Sequence, residues 1–302
     1  MADNNTGPAG PPNTLGGQSD ADIWLQIRRG TEGQSAVPDP EAGILINPSG
    51  EWWSVVHQDT LITYGGIALL VILGAIALFY LLRGTIRIDG GVSGRSVPRF
   101  SLAQRTAHWM TASLFILLGL TGLIILFGRP VLIPLIGPEA FGVLATAAMQ
   151  AHNLFGPIFG VAIIVLFLLF VRGNFPSLRD IGWLLRGGGM FGVHASAGRY
   201  NFGEKMWFWT AFITGIALTG SGFLLLFPDA LGSRTTLQLA DLVHAVAALV
   251  MIGIGFGHIY LGTLGTEGTF KGMVEGSVDE NWARTHHDRW LKEVKAQEGK
   301  TS

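Results

Sequence analysis

The chain has 302 residues, of which 49% are hydrophobic and only 14% are charged, and its mean hydropathy is +0.42. The net charge of −1 gives no reason to expect a nucleic-acid partner. The absence of cysteine excludes disulfides and iron–sulfur clusters bound by this chain, so an iron–sulfur partner would be a separate subunit.

Residues 1–60 form an acidic segment rich in proline and glycine. Its only basic residues are Arg28 and Arg29, against eight acidic residues. Because such a segment has little apolar surface to bury, we predict a largely disordered, extracytoplasmic N-terminal extension. Residues 1–43 contain no basic start followed by an apolar run, so no signal peptide is visible. Either the first membrane span carries the extension across or a leader is missing from this numbering.

Five stretches are apolar enough, over enough residues, to cross a bilayer. A helix in a soluble core has little reason to be apolar on every face for five or six turns. The sequence therefore predicts an all-α integral membrane protein with five transmembrane helices. The predicted spans are approximately 61–82, 106–127, 152–171, 206–227 and 239–261.

Arginine and lysine are concentrated in alternate segments between these spans. The loops between the first and second spans and between the third and fourth are basic, as is the C-terminal tail. The other two loops carry one arginine each, Arg129 and Arg234. The positive-inside rule therefore predicts that the N-terminus is periplasmic and the C-terminus cytoplasmic.

Four histidines lie within these otherwise apolar helices. His244 and His258 are 14 residues apart on the fifth span, which is about 21 Å along the axis and close to four full turns, so both leave the same face. His108 opens the second span and His152 opens the third, and these helices run in opposite directions. We therefore expect two pairs at two depths: His108 with His258 at the inner level, and His152 with His244 at the outer level.

Two imidazoles that face each other at each depth indicate two b-type haems, each ligated on both faces. Such haems have no open position for a substrate and favour electron transfer. Zinc fits less well, because a zinc site gathers four ligands around one point. A proton or metal conductor and a haem-free membrane anchor remain as alternatives, although a proton path usually has carboxylates at mid-membrane. Candidate cations for the haem propionates are Arg99, Arg105 and Arg199 inside, and Arg129 and Arg234 outside.

Short motifs along most of the chain resemble the cytochrome b (gamma) subunit of respiratory, membrane-bound formate dehydrogenases. The similarity runs from the first span to the tail. The motifs are RF at 99–100, RTAHW at 105–109, AHN at 151–153, GRYNFGEK at 198–205, VHA at 243–245, GHIYLGT at 257–263 and WARTHH at 282–287.

The resemblance implies a role in a complex in the bacterial inner membrane. A molybdenum- or tungsten-pterin subunit outside the membrane would oxidise formate, and an iron–sulfur subunit would pass the electrons to the outer haem at His152 and His244. The inner haem would reduce a quinone at the cytoplasmic side, where Asn201 is expected to line the quinone pocket. This chain would hold no formate-oxidising site and no catalytic side chain. Cytochrome b subunits of membrane-bound hydrogenases share the same helical pattern and remain the alternative within this class.

Four core helices are usual in this family, so the first span is an addition without a haem ligand. The expected organisation has four parts. These are the N-terminal extension (1–60), the extra transmembrane helix (61–82), the di-haem four-helix core (83–264) and the cytoplasmic C-terminal tail (265–302).

Overall fold

A computed structural model describes residues 28–29, 33–34, 44–46, 48–190 and 192–301. Most of the predicted N-terminal extension therefore lies outside the described residues. Within it, strands β1 (Gly33–Gln34) and β2 (Ile44–Ile46) pair antiparallel. A second antiparallel pair joins β3 (Ser96–Pro98) to β4 (Ser277–Asp279).

Helices make up nearly all of the remaining secondary structure of the described residues. π-Helical turns at Val56–Gly65 join the first two helices into one rod, and a π-helical turn at Leu261–Gly265 extends the helix that ends at Tyr260. In chain order the helices are α1 (Pro48–Val55), α2 (Gly66–Arg83), α3 (Leu102–Val131), α4 (Ile133–Phe170), α5 (Arg179–Leu185), α6 (Phe202–Leu226), α7 (Pro228–Leu231), α8 (Arg234–Tyr260), α9 (Thr269–Glu275), α10 (Glu280–His286) and α11 (Asp288–Thr301).

Five helical rods in the described residues are long and apolar enough to cross a membrane, which confirms the predicted all-α membrane fold. They are Gly50–Arg83, Leu102–Val131, Ile133–Phe170, Phe202–Leu226 and Arg234–Gly265.

The third span is longer than predicted, so the prediction that His152 opens it is wrong. Helix α4 breaks at Gly137, which has a φ of 80°, and resumes at Pro138. Proline fits the first turn of a helix because the lost N–H has no partner there. The glycine and prolines near residue 137 have the composition of a loop, yet in the structure they mark only a break near the start of α4. His152 lies about four turns beyond the break.

Four of the five rods form a bundle. Helix α3 packs along α4, α4 packs against α6, and α6 packs along α8. A buried cluster of Phe159, Ile163, Ala211 and Met251 lies between them. The first rod lies on the outside of α8, where Gly65 and Gly253 allow close contact. A Cβ at Gly65 would lie 2.6 Å from Leu249 Cδ1, and one at Gly253 would lie 2.8 Å from Ile72 Cδ1.

The segment 265–302, expected as a tail, folds into a cap over one end of the bundle. Helices α10 and α11 pack with β3 and β4 around buried Trp282, Trp290 and Val278. Arg99, 4% exposed, lies over the rings of Phe100, Trp282 and Trp290. Its Nη2 donates to Glu204 Oε1 at 3.0 Å, which ties the start of α3 to the start of α6. We call this end of the bundle the cap side and the opposite end the far side.

Candidate functional site

The structure brings the four membrane histidines together as two pairs. On the far side, the ring centroids of His152 on α4 and His244 on α8 are 6.0 Å apart. On the cap side, those of His108 on α3 and His258 on α8 are 6.1 Å apart. Helix α8 contributes one histidine to each pair, and the 14 residues between them separate the two levels by about 21 Å.

Two hydroxyl groups orient the far-side histidines. Thr121 Oγ1 lies 2.9 Å from His152 Nδ1 and donates to the Leu117 carbonyl oxygen at 2.9 Å. Ser221 Oγ lies 3.0 Å from His244 Nδ1 and donates to the Ala217 carbonyl oxygen at 2.6 Å. A hydroxyl has one proton. When that proton goes to the carbonyl, the hydroxyl accepts from Nδ1–H, and in this tautomer Nε2 of each imidazole is free to bind a metal.

A glycine follows each of these hydroxyl residues and leaves space beside the imidazole. A Cβ at Gly122 would lie 3.4 Å from His152 Cε1, and one at Gly222 would lie 3.3 Å from His244 Cε1. Sequence analysis missed Thr121 and Ser221. The signal that could have found them is the hydroxyl–glycine dipeptide repeated in the second and fourth spans.

A cavity of about 430 Å³ contains the far-side pair. Apart from His152 and His244, its lining is mostly apolar, with Asn153, Thr219, His57 and Asp241 as the other polar side chains. His57 is not among the residues predicted from the sequence to form a site. In the structure it lies at this cavity, on the first rod.

The far-side pair fits a b-type haem. With metal–nitrogen bonds of about 2 Å and roughly 1 Å from each nitrogen to its ring centre, one metal ion between two imidazoles separates the centroids by about 6 Å. Among the described residues, no group of three or more His, Cys, Asp or Glu side chains could hold a metal ion. A metal at either pair therefore needs further ligands from a bound group, and a porphyrin supplies four. The cavity and the two glycines provide room for a flat ring.

The cap-side pair has a different environment. The His258 ring stacks on Trp207 at 4.8 Å between centroids and 16° between planes. His108 Nδ1 is buried and has no hydrogen-bond partner among the residues that the structure describes. No hydroxyl group is seen to play the part that Thr121 and Ser221 play on the far side, so the imidazoles of the two pairs differ in their hydrogen bonds.

Asn201, predicted to line a quinone pocket, caps helix α6. Its Oδ1 accepts from the Glu204 backbone N–H at 2.9 Å, and Glu204 Oε2 accepts from the Asn201 N–H at 2.8 Å. It also lines a polar cavity of about 80 Å³ on the cap side, together with Arg83, Asp89 and His286.

Arg105, predicted to contact a haem propionate, donates to the Val274 carbonyl oxygen at 2.5 Å. This bond joins the first turns of α3 to the cap. Arg129 and Arg234 are absent from the described lining of the far-side cavity. Arg129 lies in the last turn of α3, because that helix continues to Val131.

His286 and His287 lie in the cap. His287 is 1% exposed, and its Nδ1 lies 2.8 Å from the Gly198 carbonyl oxygen. Burial lowers the pKa of His286 to about 4 and lowers that of His287 well below its ordinary value. Both rings are therefore neutral, structural parts of the cap at pH 7.

Residues 99–276 match the family of prokaryotic cytochrome b561. The chain is 32% identical over 222 residues to the cytochrome b556(Fdn) subunit of the nitrate-inducible formate dehydrogenase of Escherichia coli K12, covering 68% of this chain and 95% of that protein. It is 32% identical over 205 residues to the cytochrome b556(fdo) subunit of another formate dehydrogenase of the same strain, covering 66% and 94%. A cytochrome b556 subunit of formate dehydrogenase from Haemophilus influenzae is 30% identical over 208 residues, covering 65% and 83%.

Proposed function

Because the chain belongs to the prokaryotic cytochrome b561 family, with the cytochrome b subunits of formate dehydrogenases, we propose that it conducts electrons across a membrane through two b-type haems. Haem of the b type follows from the family, and the five apolar rods make the chain an integral membrane protein. The number of haems, their ligands, the quinone, the partners and the direction of flow are parts of the proposal.

The two pairs of imidazoles carry this proposal. His152 and His244 would hold one haem, and His108 and His258 the other. A bound haem supplies a centre that accepts and releases one electron. The protein holds the imidazoles on rigid helices, about 6 Å apart by centroid in both pairs. It also leaves Nε2 of both far-side ligands unprotonated, as iron ligation requires.

The position of the cap supports an orientation. Most of the basic loop residues lie on the cap side, so the positive-inside rule assigns that side to the cytoplasm of a bacterial inner membrane. The N-terminus is then periplasmic and the far-side pair is the outer level. A separate iron–sulfur subunit would deliver electrons there from a molybdenum- or tungsten-pterin subunit that oxidises formate. No formate-oxidising site is proposed on this chain.

The cap-side pair would pass electrons to a quinone. Asn201 and the polar cavity beside it are the proposed location, because they lie at the cytoplasmic ends of α6 and the cap. An iron that is ligated by both His108 and His258 would have no free coordination position. The quinone would therefore bind at the haem edge. Arg105 remains the proposed contact for an inner propionate.

The alternative is a cytochrome b subunit of a membrane-bound hydrogenase. It would use the same helices and histidines, and only the electron donor would differ. A haem-free anchor or a proton or metal conductor would not need the paired imidazoles, the hydroxyl groups that leave their Nε2 atoms free, or the 430 Å³ cavity between them.

A haem assay of the purified complex tests the proposal. We expect two b haems per copy of this chain by pyridine haemochrome, reduced when formate is added and reoxidised by a quinone analogue. Reduction by hydrogen but not by formate would assign the chain to a hydrogenase. An intact preparation without haem would overturn the electron-transfer function altogether.

A further inference from the structure

The first rod lies outside the family match, which begins at residue 99, yet it reaches the far-side cavity. His57 lines this cavity together with His152 and His244. The rod is therefore more than a peripheral addition to the bundle. Its contribution to the cavity is one imidazole from a segment that the matched family region does not contain.

A compact set of contacts holds His57 at the cavity. Trp53 Nε1 donates to Asp241 Oδ2 at 2.9 Å, and His57 Nε2 lies 3.4 Å from the same oxygen. The His57 and Trp53 rings stack at 5.5 Å between centroids and 21° between planes. Asp241 thus joins two side chains of the first rod to helix α8.

Asp241 also relates this cluster to the far-side histidines. It precedes His244 by three residues on α8, so the two side chains leave the same face of the helix, about one turn apart. Asp241 lies closer than His244 to the N-terminal end of α8. The Trp53–His57–Asp241 cluster therefore lies at the outer mouth of the cavity, one turn beyond the imidazole.

The backbone of the first rod is unusual where it carries His57. Val56–Gly65 is π-helical, a geometry found most often at functional sites. Gly65, at its end, allows the close approach to Leu249 of α8. Leu249 itself lines the cavity, so this contact fixes the rod against the cavity wall.

A haem in the far-side cavity would bring acidic groups to its mouth, and these groups need hydrogen-bond donors. No arginine or lysine lines the cavity in the part of the chain that the structure describes. Asp241 is the carboxylate there, and haem brings two propionate carboxylates of its own. Carboxylates that share a poorly solvated site repel one another unless a cation or hydrogen-bond donor lies between them. His57 is an imidazole in the described lining, besides the paired histidines, and it can donate a hydrogen bond there.

We infer that His57 is a further haem-contacting residue, which compensates the propionate edge of the far-side haem while Trp53 and Asp241 hold it in place. This inference rests on the proposed function, because it needs a haem at His152 and His244. It assigns the additional helix a direct role in the outer haem site.

Redox titration of the purified complex tests the inference, with haem content as a second readout. The far-side haem is first identified as the one that remains in His258→Ala. We then expect His57→Ala to lower its midpoint potential, because an acidic haem edge that has lost a hydrogen-bond donor stabilises the oxidised iron. A tenfold change in the equilibrium constant corresponds to 59 mV for a one-electron couple. We expect a shift up to this size, with the cap-side haem unchanged.

Two further variants serve as controls. His57→Gln keeps a hydrogen-bond donor, so its shift should be smaller than that of His57→Ala. Tyr64→Phe changes an exposed residue of the same π-helical segment, 68% exposed, and should leave both potentials unchanged.

A shift or loss confined to the far-side haem supports the inference. Unchanged potentials at full haem content in both His57 variants would overturn it, and so would equal loss of both haems, which would indicate a packing role. Neither result would affect the proposed function. That function fails only if the unaltered complex lacks haem.

Discussion

If His152 and His244 ligate iron as proposed, Thr121 and Ser221 would influence how strongly these imidazoles bind it. Each accepts from Nδ1–H while its own proton is held by a carbonyl oxygen. A hydrogen bond donated by the ring makes the opposite nitrogen more basic and stabilises oxidised iron. His108 Nδ1 has no such bond in the described structure. The far-side haem should therefore have the lower potential, which favours flow toward the cap side.

Removal of either hydroxyl should raise the midpoint potential of the far-side haem. We expect roughly 20–60 mV for Ser221→Ala or Thr121→Val, given that 59 mV is a tenfold change for one electron. Thr214→Val is the matched control, because Thr214 makes the same bond to a carbonyl four residues earlier without contacting a histidine. A shift in Thr214→Val as large as that in Thr121→Val would contradict this role.

The four membrane histidines were predicted from the sequence as candidate ligands, whereas Thr121 and Ser221 were not predicted to contact them. A histidine in an apolar span is costly, so its presence alone indicates a role. Serine and threonine in such helices commonly bond to a carbonyl four residues earlier, and they need no further partner. Only the packing of α3 on α4 and of α6 on α8 shows that Thr121 and Ser221 also touch histidines. The role of His57 was missed for the same reason.

At the scale of the helix, Gly222 on α6 leaves space beside His244, where the far-side haem is proposed to lie. We expect Gly222→Leu to abolish the far-side haem and leave the cap-side haem, because the new side chain fills the space beside His244. Gly220→Leu is the control, because it makes the same change in helix propensity on the same helix. A Cβ at Gly220 meets nothing within 4 Å. Haemochrome assays of both variants measure the effect. Retention of both haems in Gly222→Leu would show that the ring lies elsewhere.

The number and type of the membrane-spanning helices follow from the sequence, but the ends of these helices do not. Uniform apolarity over five or six turns leaves a transmembrane helix as the only economical structure in lipid. Gly137 and Pro138 have the composition of a loop, and only the chain geometry shows that helix resumes between them and His152. The cap was equally hidden, since its helices are short and polar and become stable by burying Trp282 and Trp290 against β3 and β4.

The cap should lose stability in acid. Burial lowers the pKa of His286 to about 4 and that of His287 well below its ordinary value, whereas both titrate near 6.5 when unfolded. The unfolded cap therefore binds more protons below about pH 6.5, and stability falls from there down to the folded pKa values. At pH 5 the loss should be on the order of 2 kcal/mol for His286, and His287 should add to it.

Thermal unfolding or proteolysis of the cap in the intact complex between pH 7 and pH 5 measures this loss. His287→Gln should reduce the pH dependence, because it removes one of the two titrating groups. A cap as resistant at pH 5 as at pH 7 would contradict the prediction.

At the scale of the whole molecule, electron transfer between the two histidine pairs would move charge across the membrane. The histidines of α8 lie about 21 Å apart along the axis, which is most of the roughly 30 Å hydrocarbon core of a bilayer. An electron that moves from the periplasmic to the cytoplasmic level crosses most of the membrane potential, at up to about 2.3 kcal/mol per 100 mV. Formate oxidation outside and quinone protonation inside would make this movement one half of a redox loop.

The order of the two haems predicts opposite defects in two ligand variants. With His258→Ala, the far-side haem should remain and still be reduced by formate, while quinone reduction falls by more than the roughly 10–100-fold that loss of a hydrogen-bond partner of a metal ligand costs. With His244→Ala, the cap-side haem should remain but no longer be reduced by formate, because its supply passes through the missing haem. A quinol should still reduce it from the cytoplasmic side. Stopped-flow spectra with formate and with a quinol separate the two cases. Rapid reduction of the cap-side haem by formate in His244→Ala would reverse or abolish the proposed order.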